Sequence, residues 1–257
     1  MGNEDLYLAA VVAMHRVEAG PEATPERMKR RLAPVLRRWG GRHLEEVSVS
    51  GSYAKGTAIR GVTLAPSDVD VDLFLSLSPE APGPLEEWQE RLTVELREHQ
   101  ARMGNVSVKA LVENTRVDLT PGRRMPGGGG HTLYQQRASK RIRTNVGEQI
   151  RFVRESGRRE EILAAKVWRR KQAVYMPSFC LELAVIEALS GASGGARISE
   201  RFLRVLEWLA GELPGAALRD PGNASNVVTG LMTEEEKWRV SNAAWMSARA
   251  ESWEEVV

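Results

Sequence analysis

The stretch Gly51-Ser52-Tyr53-Ala54-Lys55-Gly56-Thr57, followed after a loop by Ser67-Asp68-Val69-Asp70-Val71-Asp72-Leu73-Phe74-Leu75, decides how this chain is read. In a strand, successive side chains point to opposite faces. Asp68, Asp70 and Asp72 therefore share one face, and Val69, Val71 and Leu73 the other. Carboxylates crowded on one face repel each other unless a cation lies between them. Carboxylates, waters and substrate phosphates are the usual ligands of Mg²⁺. Upstream, Val47 and Val49 alternate with serines and read as a strand that ends at Gly51-Ser52. That turn offers close backbone approach and a hydroxyl for a phosphate, and Lys55 adds positive charge nearby.

Strict alternation at Val69, Val71, Leu73, Leu75 and Leu77 gives a strand with one buried face. Val106, Val108 and Ala110 alternate again, and Val117-Asp118-Leu119 follows after a short turn. Between them, a helix is expected over roughly 85–103, with Trp88, Leu92, Val94 and Leu96 as its apolar side. Two helices precede the strands. Leu6, Leu8, Val11, Val12 and Met14 line the first; Met28, Leu32, Val35, Leu36 and Trp39 line the second. Thr24-Pro25-Glu26 reads as an N-cap with proline at the first helical position, and Pro34 implies a bend or an earlier stop.

From the hinge or loop Gly127–Gly130 onward, helical periodicity is read near 141–157, 158–172, 178–190, 199–211 and 233–250, with a capping box at Thr233 and Glu236. The expected fold class is thus α+β: a small mixed sheet with flanking helices over residues 1–125, then an all-helical domain over 126–257.

Asp118 completes a constellation. Strand pairing would bring it beside Asp70 and Asp72. Three carboxylates holding two Mg²⁺ or Mn²⁺ ions suit in-line phosphoryl transfer, one ion activating the attacking hydroxyl and the other neutralising the leaving pyrophosphate.

Gly51-Ser52 … Asp70-Val71-Asp72 … Asp118 resembles the DNA polymerase β-type nucleotidyltransferase superfamily. Within it, the chain is similar to the branch of 2′–5′ oligoadenylate synthases, cGAS-like and bacterial CD-NTase-like enzymes, and archaeal CCA-adding enzymes. Lys166-Val167-Trp168 followed by Pro177-Ser178-Phe179 resembles the lysine and serine with which that branch's helical domain holds a triphosphate. Asp220-Pro221 with Asn223, Asn226 and Val227 resembles its Asp-Pro…Asn-Val segment. The resemblance implies a polymerase β-like palm followed by a helical domain that completes an NTP cleft. It implies Asp70, Asp72 and Asp118 as metal ligands and catalytic residues, and Gly51, Ser52, Lys55, Lys166 and Ser178 as nucleotide-binding residues. The family needs two aspartates on the strand where this chain has three. The apolar run Leu73–Leu77 after Asp72 sets the register on Asp70 and Asp72, with Asp68 in the approach loop.

Bulk properties are compatible with this. The 257 residues, 42% apolar and 27% charged, suffice for a substantial core. The single cysteine, Cys180, excludes an internal disulfide and fits a reducing cytoplasm. Glu4 and Asp5 make a poor secretory start, and no apolar run approaches the roughly 20 residues of a membrane span, so no membrane partner is expected. Net charge is only +2, yet residues 123–171 hold 14 Lys or Arg against 4 Asp or Glu. These either meet phosphates or cover solvated helix faces. Tyr134 and Tyr175 stack a base or belong to the core, and His131 reaches the site or sits in a loop. Glu182 reads as a buried structural partner, and Trp168, Trp208, Trp238 and Trp245 as packing residues.

The acceptor is less constrained than the chemistry. The resemblance implies template-independent joining of NTPs or dNTPs into a cyclic or linear oligonucleotide, an anti-phage signal read by an effector protein. The alternative is addition of nucleotides to an RNA 3′ end, in the manner of CCA-adding or tRNA-modifying enzymes. A non-catalytic binding module is disfavoured by the intact aspartate set.

Overall fold

The computed structural model describes residues 2–17, 20, 23–60, 70–191 and 197–257. Ser67, Asp68 and Val69 lie outside the described residues. By compactness the chain forms two units, one of Glu18–Gly56 with Thr63–Ile150, the other of Met1–Val17, Thr57–Val62 and Arg151–Val257.

In the helical unit, α1 (Asn3–His15) comes first. The sheet unit opens with α2 (Thr24–Gly40), in which Met28, Leu32, Leu36 and Trp39 bury one stripe. Ala23, not Thr24, is the N-cap, and the helix runs through Pro34. Next come β1 (Leu44–Val49), the short α3 (Gly51–Lys55) and β2 (Val71–Leu77). After these, α4 (Leu85–Glu95) leads to β3 (Arg102–Met103), β4 (Val108–Val112) and β5 (Thr115–Arg124). β6 (His131–Gln135) and β7 (Lys140–Thr144) complete a seven-stranded sheet.

The strand order is β1-β2-β5-β4-β3, with β6 on β5 and β7 on β6. The sheet is mostly antiparallel, but β2 and β5 run parallel. β5 pairs β4 through its first half and β6 through Arg123 and Arg124. Pro121 falls between those two ladders, where its missing N–H disrupts least. Glu113 and Asn114, at φ of 48° and 62°, form the two-residue turn from β4 to β5. Val71, Leu73, Leu75, Val117, Leu119, Val108 and Ala110 are buried on the same side of the ladder. The α+β class is as expected.

Two expectations change here, and one open choice is resolved. The helix read over 85–103 stops at Glu95, because the buried stripe Leu85, Trp88, Leu92 and Leu96 ends there and Arg102 and Met103 pair with β4. Val94 is off that stripe and 62% exposed. Of the hinge or loop expected at Gly127–Gly130, the structure has the loop: it is the turn from β5 to β6, closed by the Met125 N–H donating to the Gly130 carbonyl at 3.0 Å. Gly127, Gly128 and Gly129 take φ of 83–85° there, which side chains disfavour. Finally, residues 131–135 and 140–144 are strands, so the sheet unit extends to Ile150 instead of ending near 125. Flanking arginines masked the β signal of Ile142; charge on an edge strand is a common protection against pairing.

α5 (Val146–Glu155) spans the boundary at Ile150, and the remainder of the helical unit follows it. This comprises α6 (Arg159–Lys171), α7 (Ser178–Ala188), α8 (Ile198–Gly211), the hairpin β8 (Arg219–Asp220) and β9 (Asn223–Val227), α9 (Glu234–Ser247) and α10 (Trp253–Val256). Its core includes Leu8, Ile162, Trp168, Cys180, Phe202 and Leu206. Asp5 of α1 accepts from the N–H and hydroxyl of Ser199, satisfying the first turn of α8. Thr233 and Glu236 form the expected capping box on α9, at 2.8 and 3.2 Å. Leu6 and Met14 of α1 are exposed, against expectation, because α1 buries only the narrow line of Asp5, Leu8 and Val12. Trp168 packs as expected, but Trp238 and Trp245 are 55% and 48% exposed.

Candidate active site

Asp72 lies in β2 and Asp118 in β5, and the two are direct partners across the parallel ladder. Neighbouring strands are about 4.8 Å apart, and paired residues project to the same face. The face opposite the buried valines and leucines therefore carries both carboxylates. Asp70 immediately precedes β2, two positions before Asp72. The sheet unit thus brings Asp70, Asp72 and Asp118 to one region, with β2 and β5 as its rigid base.

Gly51 shows why a glycine opens the segment before β2. Its φ is +60°, and a Cβ there would lie 1.9 Å from Oδ2 and 2.4 Å from Cγ of Asp72. The Ser50 N–H donates to the Asp72 carbonyl at 2.9 Å, fixing this approach. A single turn of helix follows, ended by Gly56 at φ +74°. It holds Ser52 and the buried Lys55.

Basic partners unremarked in the sequence accompany the carboxylates. Lys109 of β4 is the register partner of Asp118, with its ammonium 3.3 Å from Oδ2. The Ser107 hydroxyl donates to the same oxygen at 3.3 Å. Arg116 Nη1 lies 3.9 Å from Asp70 Oδ1, and both side chains are largely exposed. A signal for these was present: Arg116 and Asp118 alternate with Val117, and Lys109 lies between Val108 and Ala110, so all three share the non-apolar face.

The donor set fits a hard divalent cation, since carboxylate oxygens on one sheet face are what Mg²⁺ and Mn²⁺ accept. Among the described residues, however, no group of three His, Cys, Asp or Glu side chains already converges on one point. Asp72 and Asp118 are in register. Asp70 would have to turn from Arg116 to join them.

In the helical unit, Lys166 and Ser178 are placed differently from one another. Lys166 Nζ lies 2.6 Å from Glu182 Oε1 and 3.0 Å from both the carbonyl and the hydroxyl of Thr57. The Thr57 hydroxyl donates to Glu182 at 2.6 Å. All three residues are buried. The ammonium expected to meet a triphosphate lies in a buried cluster with Thr57 and Glu182, and Glu182 is the buried partner expected of it. Ser178 begins α7, exposed, and its hydroxyl accepts from Arg169 Nη1 at 3.2 Å. Burial lowers the pKa of Arg169, with Arg170 adding to the effect. Asp220 is buried and accepts from the Gly222 N–H at 2.8 Å and Asn226 Nδ2 at 3.3 Å, so the Asp-Pro…Asn segment forms the β8–β9 turn.

His131 is the first residue of β6. Its Nε2 lies 2.8 Å from the Ser76 hydroxyl, and its ring meets Phe74 edge-on at 4.8 Å. Tyr134 is buried, and Tyr175 is 58% exposed.

Mixed sheet and helices have the fold of the CD-NTase nucleotidyltransferases. The chain is similar to CdnC of E. coli MS115-1, solved with ATP, at a TM-score of 0.74 and 19% identity, over 99% of this chain and 95% of that one. It is also similar to the CD-NTase CdnG of Bradyrhizobium diazoefficiens, in complex with GTP, at a TM-score of 0.78 and 14% identity, over 96% and 90%. The Elizabethkingia meningoseptica CdnE cyclic dinucleotide synthase, with GTP and Apcpp, matches at 0.69 and 13%, over 95% and 98%. No protein-family model matches the sequence, and no curated protein matches it.

Proposed function

We propose that this chain is a template-independent, metal-dependent nucleotidyltransferase that joins nucleotides from NTPs or dNTPs into a cyclic or linear oligonucleotide. The observation that carries the reading is the in-register pair Asp72 and Asp118, with the Gly51 backbone pressed against Asp72. ATP and GTP in the structures of CdnC and CdnG, and the cyclic dinucleotide synthase named for CdnE, support the substrate and product class. We further assign the product an anti-phage signalling role, acting on an effector protein in the cytoplasm. No described helix is long and apolar enough to cross a membrane.

Asp70, Asp72 and Asp118 would hold two Mg²⁺ or Mn²⁺ ions. When bound, such ions supply charge neutralisation for the triphosphate and acidify the attacking hydroxyl. The protein's own part is positional. The Asp72–Asp118 ladder fixes two carboxylates without loop freedom, and the Gly51 turn lets a phosphate approach the backbone beside them. Ser52 and Lys55 follow in that turn, as a hydroxyl and a positive charge for the triphosphate. Lys166 and Ser178 of the helical unit are also assigned to nucleotide binding, Lys166 through its hold on Thr57 and Ser178 through its exposed hydroxyl.

A second reading, transfer to an RNA 3′ end, is favoured by the exposed Lys140, Arg141 and Arg143 on the edge strand β7. One experiment separates the two. The purified protein is incubated with labelled NTPs or dNTPs and Mg²⁺ or Mn²⁺, with and without tRNA and phage-infected lysate, and products are identified by mass spectrometry. Phosphatase-resistant small oligonucleotides formed without RNA support the first reading. Label found only in RNA refutes it in favour of the second, and no incorporation under any condition refutes both.

A further inference from the structure

The exposed face of α9 points to a two-fold contact with a second copy of this chain, and we propose that the protein dimerises through it. α9 buries Val240, Ser241, Ala244 and Ser247 against its own unit. The opposite side is unusual for an exposed helix. It presents Trp238, Trp245 and Met246 at 55%, 48% and 64% exposure. Large exposed apolar groups gathered on one face mark interaction surfaces. Trp238 and Trp245 are seven residues apart, about 10 Å along the axis, so they occupy one stripe. Asn242 lies between them and is also exposed.

The choice of a second copy follows from the symmetry of this stripe. Two antiparallel α9 helices related by an axis through Asn242 pair residues equally spaced on either side of it. Trp238 then meets the partner's Met246, an apolar pair. Arg239 meets the partner's Trp245, a cation–π pair. Glu235 meets the partner's Arg249, an ion pair. Asn242 meets its own copy, and an amide both donates and accepts. Every position of the face finds complementary chemistry in itself, which an isologous interface requires.

The contacts within one copy are of the same kinds. Arg239 bonds Glu235 at 2.6 Å, with both side chains more than 70% exposed. The Arg249 guanidinium lies 4.1 Å over the Trp245 ring. Dimerisation exchanges an exposed ion pair and an exposed cation–π contact for their equivalents across the axis, in a drier setting. It adds burial of the two tryptophans and Met246 as the net driving force.

The test is sedimentation velocity on the full chain from about 1 to about 100 µM. A concentration-dependent dimer is expected, weakened about tenfold or more by Trp245→Ala. Glu235→Arg and Arg249→Glu should each weaken it, and the double variant should restore it, because only a two-fold arrangement places those residues together across the axis. All these residues are exposed, so melting by circular dichroism should match the parent and verify folding. A parent chain that stays monomeric, whether or not this face binds another protein or lipid vesicles, overturns the proposal. So does a dimer indifferent to these substitutions, or one that the charge exchange fails to restore.

Discussion

Asp72 and Asp118 are direct neighbours across the parallel pairing of β2 and β5, although a helix and two strands separate them in the chain. Parallel pairing demands such an excursion, since two parallel strands cannot be joined by a tight turn. The excursion through α4, β3 and β4 is therefore what makes two distant aspartates adjacent. It also delivers Lys109 to the other side of Asp118.

From this geometry, Asp70→Asn, Asp72→Asn and Asp118→Asn should each lower nucleotide turnover at least about a hundredfold, the scale of losing a preorganised charged group. Asp68→Asn should leave turnover near that of the parent. Pyrophosphate release from labelled NTP is the measurement, and full activity of Asp72→Asn would refute the assigned register.

Gly51→Ala tests the close approach to Asp72. A methyl group cannot occupy a point 1.9 Å from a carboxylate oxygen, and φ of +60° is itself unfavourable for alanine. Turnover should fall to the level of Asp72→Asn, with a stability loss of about 1–3 kcal/mol in urea denaturation. An alanine variant with unchanged turnover and stability would contradict this placement.

Lys166→Met leaves the Glu182 carboxylate buried beside Thr57 without its cation. Breaking a buried pair in this way typically costs about 3–5 kcal/mol. The double variant Lys166→Met with Glu182→Leu should recover much of that loss, because neither charge of the buried pair remains. Equilibrium denaturation of the three proteins provides the comparison, and a single variant as stable as the parent would speak against the cluster.

His131 titrates below the ordinary histidine value of 6.5, chiefly because burial disfavours its charged form and Arg124 adds repulsion, with Glu45 and Glu46 acting in the opposite direction. The unfolded chain therefore binds the proton more readily than the folded one. Stability is expected to be fully present above pH 6.5 and to fall as pH drops through that value toward the lower folded pKa. His15 is shifted the same way by burial, so the two must be separated. Comparing urea midpoints of the parent and His131→Gln between about pH 5 and 8 does so. The variant should show the shallower slope, and equal slopes would exclude His131 as a source.

Much of this was legible in local pattern. Alternation at Val71, Leu73 and Leu75 marked β2, and helical spacing at Met28, Leu32 and Leu36 marked α2, since both periods reflect which side is buried. Gly51 and the spaced aspartates were legible because few arrangements place carboxylates on one strand face next to a glycine turn. The strand β7 was not, because the alternation around Ile142 is masked by Arg141 and Arg143, which suit a solvent-facing edge as well as a helix. Nor was the end of α4, which depends on Arg102 and Met103 finding β4.

The α+β class, the carboxylate face leading into β2 and the candidacy of Asp118 were all readable from the residues alone, because they follow from backbone periodicity and the electrostatics of neighbouring charges. The folded chain was needed to show that Asp72 and Asp118 are partners in register, that Gly51 must be glycine because Asp72 fills the space of its side chain, that Lys166 bonds Thr57 and Glu182, and that Trp238 and Trp245 face outward. Each is a contact or an exposure between residues remote in the chain. Such relations depend on which strands pair and which helix faces are covered, and no local period encodes them.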